Sequence, residues 1–433
     1  MPKPDIVTHL PILLRPDPAR VVVKPYVPAE APPGYATKDS PRAQRVTDRI
    51  LALDETSLDH ELDRVFENLD RRHGDAQRIL LRRYHEVNGL VVDNQVATPK
   101  QALLIGAYFC EEYAFEAAAL FNPSMVLHPD QAGLATGAVR FIVSLRGVGE
   151  GHVSSVTFRA GICAADGAIT IDPPSQRAIS PRIEWIPGGN PDDSGVHLHY
   201  DGNREISEIV IFPVTPSQRH GIEDVRLVRF TEDDGNITYF GTYTAFSGHT
   251  IRQELLRTTD FKNFELTALR GAATANKGMA LFPRRIAGRY HMLGRQDHEN
   301  IWLLTSDDLY DWQGGTRIIS PRWPWEFVQI GNGGSPIEID EGWLVLTHGV
   351  GAVRNYCIGA CLLDRDNPAK VLARTRHPLI RATPEERDGY VPNIAYTCGA
   401  MIHGRTLILP FAVADSVTTF ATVPLDLLLA GME

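Results

Sequence analysis

The pattern of apolar and polar positions changes twice along the chain. Residues 1–40 are interrupted by many prolines, which exclude a long helix and favour an extended arm. Residues 41–120 carry apolar positions at helical spacing, which predicts helices over 75–87 and 99–120. An earlier helix is predicted from the spacing of Leu58, Leu62, Val65, Phe66 and Leu69. Thr56 and Asp59 are expected to form its capping box.

Residues 121–433 lack this helical spacing and consist of short β-rich runs separated by Gly, Asp and Asn. A weak repeat relates the segment at Asp260 to the segment at Asp308, 48 residues later, and Asp166, Asp364 and Asp426 fall at comparable turns. A period near 50 in an all-β chain is typical of four-stranded propeller blades. The sequence thus predicts an all-β protein, a five-bladed β-propeller with an N-terminal helical extension. Coincidental turn chemistry is the alternative, because Asp and Asn are common in turns.

The composition of the chain restricts the kinds of partner that it is expected to bind. No apolar run reaches the roughly 18 to 20 residues that span a bilayer, so we expect no membrane partner. The net charge of −10 argues against nucleic acid, although a local basic pocket for an anion such as phosphate stays compatible with it. Five cysteines without a dense framework and an N-terminus without a secretory signal predict a cytoplasmic location.

The most conspicuous chemistry lies in Gly221-Ile222-Glu223-Asp224-Val225-Arg226, directly before a strand of clear apolar character. A carboxylic acid in this place could act as a proton donor. Glu223 would raise the pKa of Asp224 by repulsion and Arg226 would lower it, and the sequence leaves that balance open. An exposed turn of mixed charges is the alternative interpretation.

This segment resembles the Gly-x-Glu-Asp-Pro-Arg signature of glycoside hydrolase family 130, the mannoside phosphorylases and β-mannosidases. The resemblance covers about residues 117–433 and implies the five-bladed propeller of that family. Further matching motifs follow in the family's order: Phe121-Asn122-Pro123, Ser144-Leu145-Arg146, Asn276-Lys277-Gly278, Leu281-Phe282-Pro283, Gly333-Gly334-Ser335-Pro336, Gly342-Trp343-Leu344, His348-Gly349, Val391-Pro392-Asn393 and Ala414-Asp415.

The resemblance also implies roles for single residues. Asp224 occupies the position of the catalytic proton donor. The residues expected to bind the sugar are Asn122, Arg146, Glu223, Asp415 and His348. The residues expected to bind phosphate are Lys277, Arg252 and Arg295. Turn formation is an alternative role for Asn122 and Asp415, and an unpaired surface position is an alternative for Arg252.

Two departures from the family pattern bear on the reaction. Gly294 and Thr347 stand where many phosphorylases have His and Tyr, both close to the expected anion site. These two changes keep hydrolysis open, for which Asp297 or Glu299 is the expected water-activating base. Glu326 is a further candidate for that base, and a solvated hairpin is the alternative for the two others. Val225 also replaces the proline of the signature, but this alters no reacting group.

The sequence therefore predicts an enzyme, an inverting β-mannoside phosphorylase that gives α-mannose 1-phosphate from a β-mannoside and inorganic phosphate. An inverting β-mannosidase is the runner-up, and a non-catalytic sugar-binding propeller is a third reading. We expect no cofactor, because none of the glycoside reactions requires one. We also expect no metal: His197 and His199 share one face of a strand with Asp201 nearby, but no further ligand follows at a useful spacing. Residues 41–120 could cover the propeller, border the acceptor site or form a homo-oligomer contact.

Overall fold

A computed structural model describes residues 6–32, 34–35, 40–70, 72–94, 96–186, 195–202, 205–383 and 388–433. It divides into two compact units. The β unit comprises Met1–Pro18, Phe115–Pro174 and Pro181–Glu433, and the helical unit comprises Ala19–Ala114 with Ser175–Ser180. The extended arm predicted over residues 1–40 is therefore shared between the units, and its residues 1–5, 33 and 36–39 lie outside the described part of the chain.

The fold is mostly β with few helices. The helices are α1 (Arg42–Leu51), α2 (Glu55–Leu69), α3 (Ala76–Val87), α4 (Pro99–Tyr108) and α5 (Leu425–Ala430). The strands are β1 (Thr8–Leu14), β2 (Val22–Pro25), β3 (Cys110–Tyr113), β4 (Ala119–Leu127), β5 (Val139–Val148), β6 (Ser154–Cys163), β7 (Ile169–Ile171), β8 (Arg182–Trp185), β9 (Val196–His199), β10 (Val210–Ile211), β11 (Gly221–Thr231), β12 (Ile237–Phe246), β13 (Ile251–Thr258), β14 (Asn263–Ala268), β15 (Ala280–Leu281), β16 (Tyr290–Gly294), β17 (Ile301–Ser306), β18 (Thr316–Ile319), β19 (Gln329–Asn332), β20 (Ile337–Ile339), β21 (Gly342–Val350), β22 (Tyr356–Leu363), β23 (Val371–Arg374), β24 (Ile380–Arg381), β25 (Ala395–Tyr396), β26 (Met401–His403), β27 (Thr406–Val413) and β28 (Val417–Pro424). None of the described helices has the length and apolar character needed to span a membrane.

The helical unit packs α1 to α4 around one apolar core, to which Leu58 and Leu62 contribute as their spacing predicted. The start of α2 differs from the prediction, because Asp54 caps it by accepting a hydrogen bond from the Ser57 amide, and the proposed capping box of Thr56 and Asp59 is wrong. The helix predicted over 99–120 ends at Tyr108. Its second half instead forms β3, which pairs with β2, so tertiary pairing overrides helical periodicity there.

The β unit consists of antiparallel meanders. They run β4-β5-β6-β7, β11-β12-β13-β14, β15-β16-β17-β18, β19-β21-β22-β23 and β25-β27-β28-β1. The short strands β8 and β9 extend the second meander, while β10, β20, β24 and β26 pair at the margins of the others. A single parallel pair, Gly221 with Ser154, connects the first two meanders.

The Asp repeat found in the sequence corresponds to one recurrent turn. Asp166, Asp260, Asp308 and Asp364 each follow the third strand of a meander and accept a backbone N–H two residues ahead, at 2.8–3.1 Å. These are Asx turns, in which the carboxylate replaces a backbone acceptor. Asp426 does not fit the repeat, because it lies in α5 and pairs with Arg405.

Consecutive meanders pack face to face through apolar clusters. The rings of Phe158 and Phe264 stack between the first and second meanders at 6.0 Å. Three further clusters join the second to the third, the third to the fourth and the fourth to the fifth, and a last cluster joins the fifth to the first. Because both faces of an inner sheet are covered, every residue of β21 is buried instead of every second one.

Candidate active site

Three polar residues with left-handed backbone occupy the site region. Asn122, Asp224 and Asp415 have φ angles of 49°, 54° and 49°. Asn122 and Asp224 each lie at a break in strand register, the first in β4 and the second in β11. Such conformations are costly for residues other than glycine and concentrate at functional sites.

Asp224 is held by two donors from the first meander. Its Oδ1 accepts hydrogen bonds from Asn122 Nδ2 at 2.6 Å and from Arg146 Nη1 at 3.1 Å. Burial by itself would raise the pKa of Asp224, but the positive charges of Arg146, Arg226 and Lys277 outweigh it and lower the pKa. Asp224 is therefore a stabilised carboxylate.

Glu223 lies beside it and bridges two cations. Its Oε1 accepts from Arg146 Nη2 at 3.0 Å, and its Oε2 accepts from Lys277 Nζ at 2.5 Å. Consecutive residues of a regular strand point to opposite faces, yet both Glu223 and Asp224 reach Arg146. The irregularity between Glu223 and Arg226 explains this, because an extra residue in β11 turns two neighbouring carboxylates to the same side.

Asp415 completes the acidic part of the site from the turn between β27 and β28. Its pKa is raised to about 6, first by burial and then by the negative charge of Asp224, while Arg146 and Arg354 oppose the shift. Asp415 and Asp224 thus have pKa values displaced in opposite directions, although each interacts with Arg146.

The basic part of the site contains two buried or half-buried arginines. Arg226 donates to the Tyr396 hydroxyl at 2.8 Å, and Arg295 lies 3.4 Å from the imidazole of His348. Among the described residues, no carboxylate forms an ion pair with either arginine. An ideal Cβ at Gly278, the residue after Lys277, would lie 3.7 Å from Arg226 Nη1 and 3.8 Å from Arg295 Cβ, so the backbone beside Lys277 lies next to both arginines. Burial lowers the pKa of Arg295, and the positive charge of Arg226 acts in the same direction.

His348 is enclosed in β21. Burial lowers its pKa well below the usual value, and the nearby Arg295 and Arg226 act in the same direction, so the imidazole is neutral at physiological pH. Its ring packs against Tyr396 at 5.0 Å and stacks on Tyr356 at 6.1 Å. A neutral imidazole beside Arg295 leaves the guanidinium charge uncompensated.

Arg252, expected to bind phosphate, is directed elsewhere. Gln253 pairs with Thr244, which pairs with Glu223, so these three side chains share one face of the sheet. Arg252 is the neighbour of Gln253 and points to the opposite face, where its Nε donates to Glu254 at 2.8 Å. The cluster of Lys277 and Arg295 is built without it, and its phosphate role stays a prediction.

No described contact joins the candidate hydrolytic bases to Glu223 or Asp224, and their role stays a prediction. Asp297 and Glu299 are exposed in the turn after β16, where Asp297 accepts from the backbone N–H groups of Glu299 and Asn300. Glu326 is buried and holds Arg374 by a salt bridge at 2.5 Å. Their described contacts are those of turn and core residues.

No described group of three or more His, Cys, Asp or Glu could hold a metal ion, and His199 bonds instead to Asn263 at 2.8 Å. Tyr396 was not among the site residues predicted from the sequence, and Arg226 was named there only for its effect on the pKa of Asp224. Arg226 could have been found from its place directly after the acidic pair. Tyr396 had no such signal, because it reaches Arg226 from 170 residues away.

Solved structures with a similar fold indicate the class of protein. The Listeria innocua β-1,2-mannobiose phosphorylase in complex with β-1,2-mannobiose superposes with a TM-score of 0.52 at 21% identity, covering 72% of this chain and 92% of that chain. A putative glycoside hydrolase from Bacteroides ovatus gives a TM-score of 0.52 at 21% identity, covering 72% and 89%. The chain therefore shares the fold of glycoside-active proteins.

Comparison of the sequence with known families identifies the family of the chain. The model of glycoside hydrolase family 130, described as β-1,4-mannooligosaccharide phosphorylase, matches residues 195–433, more than half of the chain. The chain belongs to this family. A 1,2-β-oligomannan phosphorylase of Thermoanaerobacter sp. (strain X514) is 34% identical over 47% of this chain and 68% of its own length, and a β-1,2-mannobiose phosphorylase of Listeria innocua is 32% identical over 48% and 58%.

Proposed function

We propose that the chain is an inverting β-mannoside phosphorylase, with inorganic phosphate as the second substrate. The observation that carries this proposal is the cation cluster of Lys277, Arg226 and Arg295 beside Asp224, in which the two arginines have no described carboxylate partner. Buried guanidinium groups without an ion-pair partner are costly unless an anion binds them, and phosphate is matched to such donors. The β-mannoside is proposed as the sugar substrate because the relatives are named as mannoside phosphorylases.

In this reaction the proton of Asp224 passes to the glycosidic oxygen, directly or through a hydroxyl of the bound mannose. A phosphate oxygen held by Lys277 and Arg295 attacks the anomeric carbon from the opposite face, and the bond from that carbon to the glycosidic oxygen breaks. The products are α-mannose 1-phosphate and the shortened sugar. Asn122 and Arg146 keep the carboxyl group of Asp224 oriented.

A proton donor must carry its proton before it can act, whereas a lowered pKa favours the ionised form of Asp224. The cation cluster explains how Asp224 could become protonated. The charges of Arg226 and Lys277 that lower the pKa of Asp224 are those that phosphate would neutralise. Binding of the anion would therefore raise the pKa of Asp224 and favour its protonated form. Phosphate binding and readiness for proton transfer are coupled in this arrangement.

We further propose that the β unit is a five-bladed β-propeller, with each meander as a blade. The cyclic packing, in which each sheet contacts the next and the fifth contacts the first, supports this architecture. Asn122 and Asp224 both lie in the first strand of their meanders, the position nearest the axis of a propeller. Residues from separate blades could then meet as these do.

The proposal is tested by incubating the protein with β-1,2- and β-1,4-mannobiose, with and without phosphate, and following the products by NMR. We expect phosphate-dependent formation of α-mannose 1-phosphate. Equal mannose release in both buffers without sugar phosphate would instead show a hydrolase, and the Asp297→Asn and Glu299→Gln variants would then test the predicted base. Absence of cleavage, with retained binding of the sugars, would show a binding protein.

A further inference from the structure

The connection between β27 and β28 carries Asp415 and also anchors a second segment. The Tyr390 amide donates to Ser416 Oγ at 2.8 Å, and the Val391 amide donates to the Ala414 carbonyl at 3.0 Å. Tyr390 is therefore tied to the residues on either side of Asp415.

The packing of Gly389 makes this attachment close. An ideal Cβ at Gly389 would lie 2.6 Å from Ala414 Cβ and 2.6 Å from the Ala414 carbonyl oxygen. Such distances exclude a side chain without rearrangement of the backbone. Gly389 thus lies directly on the Asp415 turn, and the backbone of Tyr390 is held in place beside it.

The ring of Tyr390 contributes little to the core, because the residue is 68% exposed. Its one described ring neighbour is His152, at 5.9 Å between centroids and 32° between planes. His152 is itself exposed, has a φ of 59° and belongs to the connection between β5 and β6. Two exposed rings on separate connections therefore form one aromatic surface beside the turn of Asp415.

The surface adjoins the proposed reaction site. Asp415 experiences the charges of Asp224, Arg146 and Arg354 strongly enough to alter its pKa. The turn is also joined to the site by a backbone hydrogen bond: the Leu120 amide donates to the Ser416 carbonyl at 2.9 Å, two residues before the Asn122 that holds Asp224. Flat apolar rings with a polar tip bind the C–H faces of pyranoses while leaving hydroxyls solvated.

We propose that Tyr390, supported by His152, is a binding subsite for a pyranose ring of the leaving sugar, which in the reverse reaction is the acceptor. The inference rests on the proposed phosphorylase function and concerns only the part of the substrate beyond the mannosyl unit held at Asp224. Phosphate and the transferred mannosyl unit do not depend on this surface.

The test uses the reverse reaction, in which donor and acceptor are varied separately. In Tyr390→Ala, the KM for a β-mannobiose acceptor is expected to rise about tenfold, which equals ~1.4 kcal/mol, near the upper value for an aromatic contact. The KM for α-mannose 1-phosphate is expected to stay within about twofold. Tyr390→Phe keeps the ring and should behave as the parent protein, while His152→Ala should give a smaller rise than Tyr390→Ala.

Trp185→Ala is the matched control, because Trp185 is 51% exposed on β8, the outermost strand of the extended second meander. It should change neither KM. An unchanged acceptor KM in Tyr390→Ala, or an equal rise for donor and acceptor, would overturn the subsite. If the parent protein makes no mannoside, the proposed function fails. Titration calorimetry with β-mannotriose then decides the subsite alone: weaker binding by Tyr390→Ala than by the parent supports it, and equal binding rejects it.

Discussion

Replacing Asp415 by Asn is expected to stabilise the protein at neutral pH while impairing catalysis. The pKa of Asp415 is raised to about 6 in the folded protein, from the ordinary value of 3.8 for an aspartate. The folded state therefore binds the Asp415 proton more tightly than the unfolded state does. As pH rises from about 4 to about 6, the unfolded chain gains relative stability, and above about 6 the loss is complete.

The size of this effect follows from the displacement of the pKa. The rise of the pKa from 3.8 to about 6 corresponds to ~3 kcal/mol, at about 1.36 kcal/mol for a tenfold change in proton affinity. Because Asp415 is partly exposed, solvent screens its charge, and we expect about 1–2 kcal/mol. An amide cannot ionise, so Asp415→Asn should gain this amount at pH 7.5 and nothing near pH 4.

Urea unfolding of both proteins between about pH 3 and 8 measures the difference directly. Asp297→Asn is the control of opposite sign. Burial would raise the pKa of Asp297, but hydrogen bonds from Asn300 and Glu299 lower it, so its contribution to stability is present above the unfolded pKa and lost as pH falls. A stability difference for Asp415→Asn that does not change with pH, or a loss at pH 7.5, would refute the reasoning.

Three further variants test the site and its support. Asp224→Asn should lower phosphorolysis at least ~10³-fold while sugar binding is kept, as measured by turnover and calorimetry; near-normal turnover would exclude it as the donor. Lys277→Met should raise the KM for phosphate at least ~10-fold, whereas Arg252→Met should change it little, and the reverse order would restore Arg252 to the anion site. Arg374→Met leaves the buried Glu326 carboxylate unpaired and should cost about 3 kcal/mol in unfolding experiments, and a loss below 1 kcal/mol would show that the pair is dispensable.

The sequence identified the acidic pair but could not supply its geometry. Glu223 and Asp224 were found because they stand together before a strand. That they point to the same side depends on the irregularity in β11, and the donor from Asn122 reaches Asp224 across 102 residues. Neither local propensity nor spacing contains such information, whereas the Asx turns at Asp260 and Asp308 are local and were predicted as turns.

Arg252 illustrates a second limit. A change of one residue in strand register moves every side chain to the other face of a sheet. The family resemblance placed Arg252 at the expected phosphate site but could not show whether Arg252 or Gln253 shares the face of Glu223. The register of β12 and β13 decides this, and it favours Gln253.

The net charge of the whole chain does not indicate the charge of its candidate site. The chain carries −10, yet the site contains four cations, Arg146, Arg226, Lys277 and Arg295, and three carboxyl groups, so its formal charge is +1 when all three are ionised. The raised pKa of Asp415 makes that charge more positive below about pH 6. A site of this sign in an acidic protein is built to hold an anion against its surroundings, which agrees better with phosphate as the attacking group than with water.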